Sequence, residues 1–324
     1  MKILITGSAG FIGSNLFQSL SKGNNTLLGI DNFSKYYSPQ MKRSRSYALG
    51  VQNLDIDISN YAALKSAIVE FMPTHVIHLA AQGGVRASKT DPQPYIQANQ
   101  QGFLNLLTIS EDIGVEKFIY ASSSSVYGDG LKPPFKEDDI LPTPKSLYAL
   151  SKLSNELVAK HFPQKSTQRI GLRFFTVYGP WGRPDMAVFR LLASTRLEQA
   201  FELTAAGDVV RDFTFVDDVS RVISQIMLEV SSDTEPAIYN VAASKPWSLN
   251  DLFEITSQLG ISPRIITSGA DSLDVQITHG SVEKLKSDNF QVPDTSLQSG
   301  IEQTWKWIKD QDLGDLRSWF EYKA

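Results

Sequence analysis

The chain has 324 residues, of which 42% are hydrophobic and 20% charged, a composition that supports a sizeable buried core and excludes disordered and fibrous classes. Its 31 basic and 35 acidic residues give a formal net charge of -4, so no basic excess points to a nucleic-acid partner. The absence of cysteine excludes disulfides, thiolate nucleophiles and cysteine-ligated zinc, and His75, His78, His161 and His279 lack a metal-binding spacing, so no metal is expected.

Met1-Lys2 leads directly into Ile3-Leu4-Ile5-Thr6-Gly7, too short an apolar run for a signal-peptide core, and no stretch is long enough to span a membrane. A cytoplasmic protein with no membrane partner is expected. In chain order, apolar runs predict strands at Lys2 to Thr6, Thr26 to Ile30, Val76 to Leu79, Phe118 to Ala121, Ile170 to Phe174 and Ile238 to Val241. Helical spacing falls between them at Phe11 to Leu20, Tyr61 to Phe71, Phe103 to Ile109 and Tyr148 to Ala159, and later at Leu249 to Leu259 and around Trp305 to Ile308. This alternation predicts an α/β fold with a doubly wound parallel sheet. From Tyr178 the texture changes, beginning with the turn-rich Gly179-Pro180-Trp181-Gly182-Arg183-Pro184. The expected division is a nucleotide-binding domain over 1–175, with 217–245 returning to it, and a smaller α/β substrate-binding lobe from 176–216 and 246–324.

The first strand runs into Thr6-Gly7-Ser8-Ala9-Gly10-Phe11-Ile12-Gly13, a glycine turn that opens a helix. Gly7, Gly10 and Gly13 keep side chains away from a pyrophosphate, and the amides at Phe11 and Ile12 favour an anion, so this turn predicts dinucleotide binding. Strand two ends in Asp31-Asn32, about 20 residues on, where an acid accepts both hydroxyls of an adenosine ribose and favours NAD; Lys35 nearby is the residue that would pair with a 2′-phosphate instead. Asp31 can also serve simply as a cap.

Tyr148 and Lys152 are four apart and share a helix face. Bringing a tyrosine from about 10 to about 7 takes roughly 4 kcal/mol, which Lys152 and an oxidised nicotinamide can supply, making Tyr148 a base. Such a pair alone is a weak signal; the glycine turn upstream gives it weight. The loop Ala121-Ser122-Ser123-Ser124-Ser125-Val126-Tyr127-Gly128 follows a strand at the sheet edge where such folds bind ligands, although a serine run is often only a solvated turn.

Together with His78-Leu79-Ala80-Ala81, these elements resemble the extended short-chain dehydrogenases/reductases, which have a Rossmann fold. More narrowly, Asp31-Asn32-Phe33-Ser34-Lys35-Tyr36-Tyr37, Ala80-Ala81-Gln82-Gly83-Gly84-Val85-Arg86, Arg173 to Met186 and Arg211 to Asp218 resemble UDP-glucuronate 4-epimerases. The resemblance implies Ser123, Tyr148 and Lys152 as the catalytic set. It implies cofactor contacts at Asn32, Lys35, Asp57, Ile58, Leu79, Ala80, Ala81, Gln82, Asn99 and Phe175, beside the glycine turn, Asp31, Tyr148 and Lys152. Ser123, Thr176, Arg211 and Asp274 are implied on the substrate, with Arg86, Arg183, Ser124 and Ser125 as candidate seats for a uronate carboxylate. Phe175 has a plain alternative as core, and Arg211 as a partner of Asp212 or Asp217.

The implied reaction is removal of the sugar 4-hydroxyl proton by Tyr148 with hydride transfer to NAD, turnover of a 4-keto ring, and return of hydride to the opposite face. Related 4,6-dehydratases carry Asp-Glu where this chain has Ser124-Ser125, and related decarboxylases a glutamate at Ser125, so epimerisation is favoured. The match weakens at Leu273-Asp274-Val275 and Gly280-Ser281, where such families show Gly-Asp-Val and Ala-Asp, leaving the nucleotide and sugar less defined than the reaction. Alternatives are an epimerase, reductase or decarboxylase on another nucleotide sugar, or a non-catalytic NAD-binding sensor. The resemblance also implies a homodimer through Phe103 to Ile109 and Leu147 to Ala159.

Overall fold

The computed structural model describes residues 1–163, 165–203, 209–229, 235–267 and 275–323. Twelve strands appear among them: β1 (Lys2–Thr6), β2 (Thr26–Asp31), β3 (Asn53–Asp55), β4 (His75–His78), β5 (Lys117–Ser123), β6 (Gln168–Phe174), β7 (Thr176–Tyr178), β8 (Ala200–Leu203), β9 (Val210–Phe215), β10 (Ala237–Val241), β11 (Pro246–Ser248) and β12 (Arg264–Thr267). Seven form one sheet in the order β10-β6-β5-β4-β1-β2-β3, with every neighbouring pair parallel.

Continuous apolar strands arise because both faces of this sheet are covered. Ile3 and Ile5 point to one core and Leu4 to the other; Ile77 and Ile119 join the first, while Val76, Phe118 and Tyr120 join the second. The first core is closed by Phe11, Leu16, Phe17 and Leu20 of the helix Phe11–Ser21 and by Val219, Val222, Ile223 and Ile226 of the helix Val216–Leu228. The second is closed by helices Tyr61–Phe71 and Phe103–Ile113. The expected doubly wound parallel sheet is therefore present. β3 departs from expectation: it is three residues long and carries no apolar run to mark it.

The strand order reverses between β1 and β4, which opens a crevice at their carboxyl ends. Toward the C-terminus, β11-β9-β7 and β12-β8 make two small sheets. A third core, rich in aromatics, joins Trp181, Phe189, Phe213 and Trp319 to helices Leu249–Gln258 and Leu297–Lys309. Tyr37 and Met41, from the segment after β2, also pack into it, so that segment ties the large sheet to the third core. Among the described residues no helix is long and apolar enough to cross a membrane.

Candidate active site

The turn after β1 needs its glycines for distinct reasons. Gly7 has φ +71°, and a Cβ there would lie 2.6 Å from the Ala80 amide nitrogen; one at Gly10 would lie 2.9 Å from the Gly7 carbonyl oxygen. A Cβ at Gly13 would strike that same oxygen. The helix Phe11–Ser21 begins at Gly10 with no side-chain cap, which leaves its first-turn amides at Phe11, Ile12 and Gly13 suited to an anion. This bare cradle fits a dinucleotide pyrophosphate.

Asp31, at the end of β2, holds the turn in place: Oδ2 accepts from the Ala9 amide at 3.1 Å and Oδ1 from the Phe33 amide at 2.8 Å. Burial raises its pKa, opposed by the nearby Lys42 ammonium and these amides. Asn32 donates to Asp57 at 2.8 Å, linking the ends of β2 and β3, and Ile58 is buried beneath Gly102. Lys35 is exposed. The buried cations here are two others that the sequence did not single out. Lys42 Nζ donates to the Ser34 carbonyl at 2.7 Å, and burial pushes it down to about 8 against the pull of Asp31. Arg45 donates to the Ala9 carbonyl and the Tyr37 hydroxyl, each at 2.8 Å, and to the Trp181 carbonyl at 2.7 Å, bracing the glycine turn against the segment at Trp181.

The segment Leu79-Ala80-Ala81-Gln82 leaves β4 across the crevice. Asn99 clamps it by accepting from the Gln82 amide at 2.7 Å and donating to the Gln82 carbonyl and to Ser151 Oγ, each at 3.0 Å. Asn99 thus acts on the site through Gln82 and the Tyr148 helix. Its placement depends on a π-helix over Tyr95–Gly102, which apolar spacing does not reveal.

Ser146 caps the helix Leu147–His161 by accepting from the Ala149 amide at 3.1 Å, and so fixes Tyr148 in its first turn. Tyr148 hydrogen-bonds Ser123 at the end of β5 and meets the Tyr95 ring edge to face, centroids 6.3 Å apart. Ser123 Oγ accepts from the Ser125 amide and donates to Ser125 Oγ, both at 3.2 Å, where the short turn Ser124–Tyr127 begins. Lys152 Nζ donates to the Ala121 carbonyl at 2.9 Å; burial pushes it down to about 8, with Glu156 opposing. Burial raises the Tyr148 phenol, opposed by the Ser123 hydrogen bond and by Arg183.

Arg183 lies in the turn after β7. Its Nε and Nη2 form a fork on Asp185 at 3.0 and 2.5 Å, Asp185 also accepts from the Tyr36 hydroxyl at 2.9 Å, and a Cβ at Gly83 would lie 2.8 Å from Nη1. Thr176 opens β7 and is half-buried. Phe175 is buried against Tyr127 and Gly280, within the first core. Arg211 donates to the carbonyls of Val210 and Val275 at 2.9 and 2.6 Å. Arg86 is exposed, and Asp274 lies outside the described residues.

Residues 3–242 match the family described as NAD dependent epimerase/dehydratase. The chain belongs to that family. Among epimerase/dehydratase relatives, it is 38% identical to Protein CapI of Staphylococcus aureus, covering 95% of this chain and 98% of the relative. It is 36% identical to the UDP-glucuronate 4-epimerase of Thermodesulfobacterium geofontis, covering 95% and 96%. The UDP-glucuronic acid 4-epimerase of Bacillus cereus, solved with UDP-glucuronic acid and NAD, superposes with a TM-score of 0.86 at 32% identity, covering 95% of this chain and 99% of the other. NAD is accordingly the cofactor.

Proposed function

We propose that this family member is an NAD-dependent nucleotide-sugar 4-epimerase that interconverts UDP-glucuronate and UDP-galacturonate through a 4-keto sugar. The observation that carries the reading is the convergence of Ser123, Tyr148 and Lys152 at the carboxyl edge of the sheet beside the glycine cradle. The relatives with this name supply the substrate class. NAD, when bound, supplies the oxidant that takes hydride from C4 and the reductant that returns it. Tyr148 accepts the 4-hydroxyl proton as the C4 carbonyl forms and gives it back as that carbonyl is reduced, so the sugar undergoes no net oxidation.

Burial alone holds Tyr148 protonated, so its service as a base needs opposing help. Ser123 and Arg183 stabilise the phenolate, and cationic Lys152 one turn away supports the same charge state. We assign Arg183, Ser124 and Ser125 to the uronate carboxylate: a guanidinium fixed by Asp185 through Nε and Nη2 offers Nη1 to an anion with little loss of freedom. Ser124 and Ser125 also leave the loop without the carboxylic acids that elimination of water or loss of carbon dioxide is expected to need. Thr176, Arg211 and Asp274 are assigned to the nucleotide side.

We further infer a homodimer. Leu104, on Phe103–Ile113, and Leu150 and Leu157, on Leu147–His161, are 40%, 47% and 52% exposed, an apolar face consistent with pairing of these helices across a two-fold axis.

Incubation with UDP-glucuronate, without added reductant and followed by proton NMR, tests the function. UDP-galacturonate is the expected product. Release of carbon dioxide and a pentose would overturn the serine-loop assignment, and turnover of UDP-glucose alone would move the substrate.

A further inference from the structure

Tyr148, Lys152 and Glu156 follow one another at four-residue spacing on Leu147–His161, so they stand in a row along one helix face. The reaction uses the first two. Glu156 is nonetheless buried, and its carboxylate is fully engaged: Oε1 accepts from Ser122 Oγ at 2.5 Å and Arg173 Nε at 3.0 Å, and Oε2 from Arg173 Nη2 at 2.8 Å. Arg173 also donates to the Tyr127 hydroxyl at 2.9 Å, which in turn donates to Asn240 Oδ1 at 2.7 Å. Every member of this network is buried.

A buried ion pair is a poor device for stability alone, because apolar side chains of similar volume fill the same space without desolvating two charges. Its position suggests another use. Lys152 holds the carbonyl of Ala121 and Glu156 the hydroxyl of Ser122, so two successive rungs of the helix grip the strand immediately before Ser123, which bonds Tyr148. Around Lys152 stand Tyr148 and Glu156, one turn to either side on its own helix, the Ala121 carbonyl on β5, neutral His78 on β4 and, beyond Glu156, Arg173 on β6. Glu156 is the only full negative charge in that set.

We propose that Glu156, gripped by Arg173, is a positioning residue that sets the charge and aim of Lys152 and, through Ser122, the place of Ser123. The proposal rests on the epimerase reading for its catalytic consequence, but its electrostatic consequence can be measured without turnover. In protein labelled with carbon-13 at lysine Cε, with the Lys152 signal assigned by Lys152→Arg, the wild-type ammonium should titrate near 8. In Glu156→Gln that midpoint should fall by about one unit or more. Because the single change strands the Arg173 guanidinium, Glu156→Gln/Arg173→Met, which removes both charges, is measured beside it and should show a smaller fall in the same direction. The alkaline limb of the turnover profile should move with it, lowering the rate at pH 8 by about fivefold. An unmoved Lys152 midpoint in a folded variant, with only a lower melting temperature, would overturn the proposal. A moved midpoint in protein that leaves UDP-glucuronate untouched would uphold it and count against the epimerase reading.

Discussion

Lys152 donates from Nζ to the carbonyl oxygen of Ala121 at 2.9 Å, which pins the ammonium at the end of β5, one turn beyond Tyr148. Burial holds its pKa down to about 8 while Glu156 pulls it up, so the cation is lost as pH rises through that value. Turnover should therefore decline above about pH 8. Stability moves the other way: a lysine lowered in the fold from 10.5 carries a cost below about 8 that is relieved between 8 and 10.5 as the folded protein releases its proton first. Wild type should gain melting temperature relative to Lys152→Met across that window, and parallel curves would refute the assignment.

Asp31 spends one oxygen on Ala9 and one on Phe33, which aims the carboxylate at the mouth of the glycine turn. Asp31→Ala should weaken NAD by about 10- to 100-fold, the loss of one or two hydrogen bonds to a charged acceptor. Titration calorimetry with NAD measures this, and unchanged affinity would remove Asp31 from the ribose site.

Gly13 packs against the Gly7 carbonyl with no room for a methyl group. Gly13→Ala should cost about 1–3 kcal/mol through overpacking and should reduce NAD retention by lifting the helix from the turn. Thermal melts with and without NAD read both effects.

Leu150→Glu/Leu157→Glu places charges on the exposed apolar face of the helix Leu147–His161. Light scattering should find the wild type dimeric and this variant monomeric. A monomeric wild type would remove the dimer from the account.

Sequence patterns reveal most clearly what is local or periodic. The alternating cores around Ile3, Leu4 and Ile5 follow from apolar runs, and Tyr148 with Lys152 follows from spacing within one helix. β3 escapes because a three-residue edge strand needs no apolar run. Arg45 escapes because its partners are distant in sequence; only the fold brings the carbonyls of Ala9 and Trp181 to its guanidinium. Tyr36 and Asp185 meet across 149 positions, a contact no local pattern encodes. The burial that raises Tyr148 escapes for a related reason, since four-residue spacing shows that two groups are neighbours but not how deeply either is buried.

The central claim is that hydride leaves C4 and returns to it while Tyr148 moves the proton. UDP-glucuronate deuterated at C4 tests it most directly, with wild type and Tyr148→Phe followed by NMR and mass spectrometry. The account predicts UDP-galacturonate that keeps deuterium at C4 and a Tyr148→Phe rate lower by about 10²- to 10⁴-fold. Loss of the label to solvent, or wild-type turnover by Tyr148→Phe, would contradict it.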